Sequence, residues 1–139
     1  MSINWDRATK NTKELSFEGR ICKAKVVEVY DGDTIKIVFP LIENDENTLY
    51  KWNCRLINVD TPEIRTRNIK EKNFGIIVRD NLREKILNKV VDIHCKDFDK
   101  YGRLLIEIFS ENNSINEWLI DNSYAKKYDG GKKSKWFTD

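Results

Sequence analysis

The chain has 139 residues, 40% of them apolar and 35% charged, with 25 Lys and Arg against 23 Asp and Glu for a formal charge of +2. That length suits one compact domain with a short tail, and the near-neutral total argues against a protein that coats nucleic acid with its whole surface. No apolar run approaches the roughly 20 residues needed to span a bilayer, and residues 1–15 hold no hydrophobic signal core. A soluble, cytoplasmic or otherwise intracellular monomer with no membrane partner is expected.

Cys22, Cys54 and Cys95 are odd in number, widely spaced and outside any CxxC pair, which reads as reduced, buried thiols. The single histidine, His94, excludes histidine-rich zinc sites and leaves little room for a histidine triad. Chemistry in this chain must rest on carboxylates, arginines and tyrosines, with an oxygen-ligated metal as an option.

Residues 1–20 read as a polar arm with Trp5, Leu15 and Phe17 as isolated anchors, residues 21–125 as the domain, and residues 126–139 as a basic tail. From Lys23 two β-branched runs flank Asp31-Gly32, a dipeptide suited to a type I′ hairpin turn. A third strand is predicted over Leu49 to Val59, closed by the Thr61-Pro62 step. Apolar positions recurring at helical spacing predict a helix from Ile76 to Asn88. Two more strands follow, Lys89 to Cys95 and Arg103 to Phe109. Ser114, with Glu117 three residues on, predicts a capped short helix ending near Asn122. Five strands with a helix between the third and fourth match the five-stranded OB barrel, a mainly β, α+β fold with two or three helices.

If the second and third strands pair with their loop centred between Glu46 and Asn47, Asp33 falls opposite Asp60 at one rim. Two facing carboxylates repel, and a divalent cation between them removes the conflict. Glu63 can reach the same spot, making a three-carboxylate cluster suited to calcium or magnesium, which oxygen ligands do not separate. Arg55 sits an odd number of residues from Asp60, so both serve one site only if the strand kinks between them. Cations cluster elsewhere: residues 64–89 carry eight Lys and Arg against three acids, and residues 122–135 carry five against one. Near Tyr101, Tyr124 and Tyr128 such charge suits phosphate backbones and stacked bases.

Three segments then become specific: Val-Tyr-Asp-Gly-Asp-Thr at 29–34, Arg-Leu-Ile-Asn-Val-Asp-Thr-Pro-Glu at 55–63, and Asp-Lys-Tyr-Gly-Arg at 99–103. In order and spacing they resemble the signatures of the staphylococcal nuclease family, with the likeness running from about Lys23 to Ala125. The resemblance implies an OB-fold, calcium-dependent phosphodiesterase of DNA and RNA, acting on single-stranded or locally open substrate and leaving 3′-phosphates. It implies that Asp33, Asp60 and the Thr61 carbonyl ligate the metal, and that Glu63 acts on a water beside it. Arg55 and Arg103 match the catalytic arginines, Lys100 and Tyr101 match residues beside a terminal phosphate, and Tyr128 stands for a base-stacking or phosphate-binding tyrosine. The long third helix usual near the family's C-terminus has no counterpart in YDGGKKSKW. A noncatalytic nucleic-acid-binding module on the same barrel is the alternative expectation.

Overall fold

A computed structural model describes residues 2–137. Strands β1 (Ile21–Val29), β2 (Thr34–Pro40) and β3 (Leu49–Leu56) form an antiparallel meander. A two-residue strand β4 (Val59–Asp60) follows, then helix α1 (Ile69–Ile86), and then the long strands β5 (Val90–Phe98) and β6 (Leu104–Ser110). Short strand β7 (Asn113–Ser114) leads into helix α2 (Ile115–Asp121), and β8 (Lys126–Lys127) returns to pair with β4. The sheet order β3-β2-β1-β5-β6 closes on itself through a parallel pairing of Cys54–Leu56 with Leu104–Ile106. The result is the expected five-stranded OB-type barrel with two α-helices.

Alternation builds the interior. Along β2, Ile35, Ile37 and Phe39 point inward and are buried while their neighbours are only partly covered, the period of two that a half-buried strand requires. Cys54 and Cys95 lie in that core and Cys22 is half-buried, all three as free thiols. From the preceding arm Phe17 enters the core, its ring edge-on to Trp52 at 4.8 Å and to Phe39 at 5.3 Å. Trp5 and Leu15, read as further anchors, are instead 71% and 61% exposed, and a single 3-10 turn spans Trp5–Arg7. The Arg20 guanidinium closes that end of the barrel by donating to the Pro40 and Leu41 carbonyls at 2.6 and 3.0 Å.

Four expectations are corrected. Neither Asp31 nor Gly32 has positive φ, so the β1–β2 connection is not a type I′ turn. The Asp31 side chain closes it, Oδ1 accepting from the Asp33 and Thr34 amides at 3.1 and 2.9 Å. Gly32 is needed for a different reason, since a Cβ there would lie 2.7 Å from Thr61 and Val78 side-chain carbons. The β2–β3 loop is centred two residues earlier than expected, because Asn44 takes φ 64° and a 3-10 turn fills Glu46–Thr48. Pro40 thus faces Leu49, and Thr34 faces Arg55. The third strand stops at Leu56, with Asn58 turning the chain at φ 64° before β4. Helix α1 starts at Ile69, seven residues before the apolar period, because Asn68 caps it by accepting from the Glu71 amide at 3.0 Å.

Candidate active site

The loop end of β2, the end of β3 and strand β4 meet at one rim of the barrel, opposite the Phe17 end. Arg55, paired with Thr34 and pointing away from the core face of Cys54 and Leu56, is buried there. Its guanidinium donates to the Leu56 carbonyl at 2.8 Å and the Val59 carbonyl at 3.0 Å, and stands 3.5 Å from Asp33 Oδ2. The Thr61 amide donates to the same Asp33 oxygen at 3.2 Å. Asp33, Arg55, Asp60 and Thr61 are therefore brought together, all buried. They do not arrive by the expected cross-strand pairing, since Asp33 lies opposite Leu56 in the ladder, its carbonyl accepting from the Leu56 amide at 2.9 Å. The turn at Asn58 supplies the kink that the odd separation of Arg55 and Asp60 demands.

Two residues unnoticed in the sequence brace this turn. Asn116, buried on α2, donates to the Ile57 and Ile106 carbonyls at 3.0 and 3.3 Å and accepts from the Ile108 amide at 3.1 Å. All of its principal hydrogen-bonding capacity is thereby used inside the protein, as a buried amide requires. Glu71 accepts from the Glu63 backbone amide at 2.8 Å, and Gly75 allows α1 to pass under that loop, where a Cβ would meet the Pro62 carbonyl at 2.9 Å. The Asn68-x-x-Glu71 spacing was the available signal for this helix start.

Glu63 sits at the edge of the site with half its side chain exposed. Burial raises its pKa, Asp33 and Asp60 push the same way, and Lys133 opposes them. Asp31 is pushed up to about 7, first by burial and next by the Asp33 charge. Carboxylates thus outnumber the cations beside them. Among the described residues no three His, Cys, Asp or Glu side chains gather closely enough to hold an ion by themselves, so the expected three-carboxylate cluster is not a ready cage. The donor chemistry nevertheless fits a hard cation: crowded carboxylate oxygens, with the buried Thr61 Oγ1 left without a partner among the described residues.

A pH dependence follows. An acid whose folded pKa lies above its unfolded value of 3.8 binds more protons folded than unfolded, so its contribution to stability is lost as pH rises towards 7. Asp31→Asn keeps the Oδ1 acceptor and is expected to flatten the fall in metal-free stability between about pH 4 and 7. Parallel melting curves for the two proteins across that range would contradict this.

Beside the acids lies a cleft of about 410 Å³ lined by Arg55, Lys100, Tyr101, Arg103, Tyr128 and Lys133, among others. Arg103 is not joined to the carboxylates at the rim. Asp99 holds it, accepting from its Nε at 2.8 Å and from its amide at 2.9 Å. Burial would raise the Asp99 pKa, but these bonds and one from the Tyr101 amide outweigh it and lower the value. Tyr101 is 72% exposed, with the Lys100 Nζ and Arg103 guanidinium 5.2 and 5.4 Å from its ring centre. The Tyr128 ring lies 5.2 Å from the Arg55 guanidinium. Every residue expected at the site borders this cleft or the acidic rim beside it.

The chain belongs to the staphylococcal nuclease family, whose model, described as staphylococcal nuclease homologue, matches residues 53–137. An uncharacterized protein of Methanocaldococcus jannaschii is 34% identical over 128 residues, covering 75% of this chain and 58% of its own length. A thermonuclease of Staphylococcus hyicus is 30% identical over 104 residues, covering 73% and 57%, and an uncharacterized endonuclease of Escherichia coli is 26% identical over 106 residues, covering 76% and 60%. The chain thus spans rather less than two thirds of the length of these relatives. No helix among the described residues is long and apolar enough to cross a membrane.

Proposed function

We propose that the chain is a metal-dependent nuclease that hydrolyses phosphodiester bonds in DNA and RNA, takes calcium at Asp33, Asp60 and the Thr61 carbonyl, and leaves 3′-phosphates. The observation that carries this reading is Arg55. Burying a guanidinium is costly unless it is paired and hydrogen-bonded, and here two carbonyls and Asp33 hold it at the wall of a cleft that Arg103 also lines. A phosphodiester, with paired anionic oxygens, is the ligand that planar guanidinium forks match.

When bound, a divalent cation supplies charge neutralisation and polarisation at a phosphoryl oxygen. Glu63, with its raised pKa and exposed face, accepts the proton of the attacking water or orients it. Arg55 and Arg103 hold phosphoryl oxygens as negative charge builds on them. Water oxygen joins phosphorus, the bond to the 5′-oxygen breaks, and a 3′-phosphate and a 5′-hydroxyl remain. Lys100 and Tyr101 lie where a terminal phosphate can be bound, and Tyr128 offers a ring for a base. The need to reach the backbone with bases unstacked favours single-stranded or locally open substrate. The three free thiols suit a reducing, intracellular compartment.

Incubation of the protein with single-stranded DNA and with RNA, first with calcium and then with excess chelator, tests this reading. Cleavage that stops with chelator, producing 3′-phosphate ends, is expected. Retained binding without calcium-dependent cleavage would leave the noncatalytic OB-fold binding module standing instead.

A further inference from the structure

One side chain stands between the two halves of the site. Lys133 lines the arginine-bordered cleft together with Arg55, Arg103 and Tyr128. It also lines a second cleft, of about 320 Å³, that contains Asp60 and Glu63. Its Nζ is 3.4 Å from Asp60 Oδ1 and 3.7 Å from Glu63 Oε1, and 5.5 Å from the centre of the Tyr128 ring. These separations are longer than the roughly 2.7–2.9 Å of a tight charge-assisted hydrogen bond. The ammonium is therefore close enough to neutralise both acids and loosely enough held to be replaced.

The segment that presents Lys133 is fastened on both sides of it. Before it, the Tyr128 hydroxyl donates to the Gly131 carbonyl at 2.7 Å, and the Gly131 amide donates to Asp129 Oδ1 at 2.9 Å. After it, Lys126 Nζ donates to Ser134 Oγ at 3.2 Å and to the Lys135 carbonyl at 2.7 Å. The Trp136 ring packs 5.8 Å from Phe74 on α1 and lies 4.5 Å from Lys126 Nζ. Lys133 is thus delivered to the acids by a tied strap rather than reaching them from a free tail.

We propose that Lys133 is a built-in counter-ion of the acidic cleft that a divalent cation must displace, so that this one residue sets how tightly the site takes the cation. The inference rests on the reading of Asp60 and its neighbours as the metal site. A second positive charge cannot share Asp60 with the ammonium without repulsion. The side chain already borders the neighbouring cleft, so the displaced ammonium has a place to go where a substrate phosphate would accept it. Lys133 acts on the site's occupancy and takes no part in the bond-making steps.

Calcium titration of the full chain by calorimetry, without nucleic acid, tests this on four proteins: wild type, Lys133→Met, Lys133→Arg and Lys132→Met. Lys133→Met is expected to bind calcium about tenfold more tightly, the scale of two partly exposed ion pairs removed from competition. Lys133→Arg, which restores the charge at the same place, is expected to bind as wild type does, and so is Lys132→Met, which lowers the tail's charge one residue away. Unchanged or weaker binding in Lys133→Met overturns the proposal while leaving the metal site in place, and equal tightening by Lys132→Met overturns it in favour of bulk charge. Absence of calcium binding in all four overturns both the proposal and the metal-site reading. A thermal melt of each variant shows whether it is folded at the titration temperature.

Discussion

Glu63→Gln is expected to lower turnover about 100- to 10,000-fold, the range for removing a positioned general base, while leaving the fold nearly untouched. Its carboxylate is half exposed and, among the described residues, pairs with Lys133 at 3.7 Å, whereas the backbone amide that fixes the loop is held by Glu71. A surface change of this kind shifts stability by no more than about 0.5 kcal/mol. Because Glu63 must be ionised to take a proton, the wild-type rate should fall on the acid side, and that limb should disappear in the variant. Single-turnover rates on a short oligonucleotide from about pH 4 to 9 supply both measurements. A near-wild-type rate on the alkaline side of that limb removes Glu63 from the mechanism.

Arg55→Ala is expected to behave differently, because Arg55 holds the rim together as well as carrying the proposed phosphate contact. Losing one preorganised electrostatic contact costs about 100- to 1,000-fold in rate. Alanine would also leave the Leu56 and Val59 carbonyls without these donors and Asp33 without its buried partner, and breaking a buried pair in this way costs about 3–5 kcal/mol. Arg55→Lys separates the two effects by keeping the charge while removing the planar fork. Denaturant melts, with rates measured where each variant is fully folded, should show partial recovery of stability in the lysine variant and little recovery of rate. Full recovery of rate would mean that charge alone suffices at this position.

Local pattern carried most of the fold. The alternation at Ile35, Ile37 and Phe39 and the Ser114 cap could be read directly, and the Glu117 amide does donate to Ser114 Oγ at 3.2 Å. The first two turns of α1 could not be found by periodicity because Ile69 is 66% exposed, so the apolar stripe begins only after the helix does. The rim was foreseen by a wrong route: the assumed loop centre ignored the left-handed Asn44 and displaced the register, while the real convergence of Asp33 with β4 depends on a second left-handed residue, Asn58. Asparagine adopts that conformation more readily than most residues, yet nothing local distinguishes Asn44 or Asn58 from asparagines that do not. Lys133 was invisible for another reason. Residues 129–137 have no helical or strand period, and which of several lysines returns to the acids is decided by contacts with α1 far away in sequence.

The pairing of β4 with β8 ties Val59 and Asp60 to Lys127 and Lys126. The acidic lip of the site therefore has its backbone partner more than sixty residues further along the chain. Closing so long a loop is entropically slow compared with forming the β1–β2 hairpin or α1, so this lip is expected to be the last part of the centre to settle. During synthesis, a nascent chain would already carry Arg55 and Arg103 but would lack the ladder that steadies Asp60 until residues 126–137 had been made.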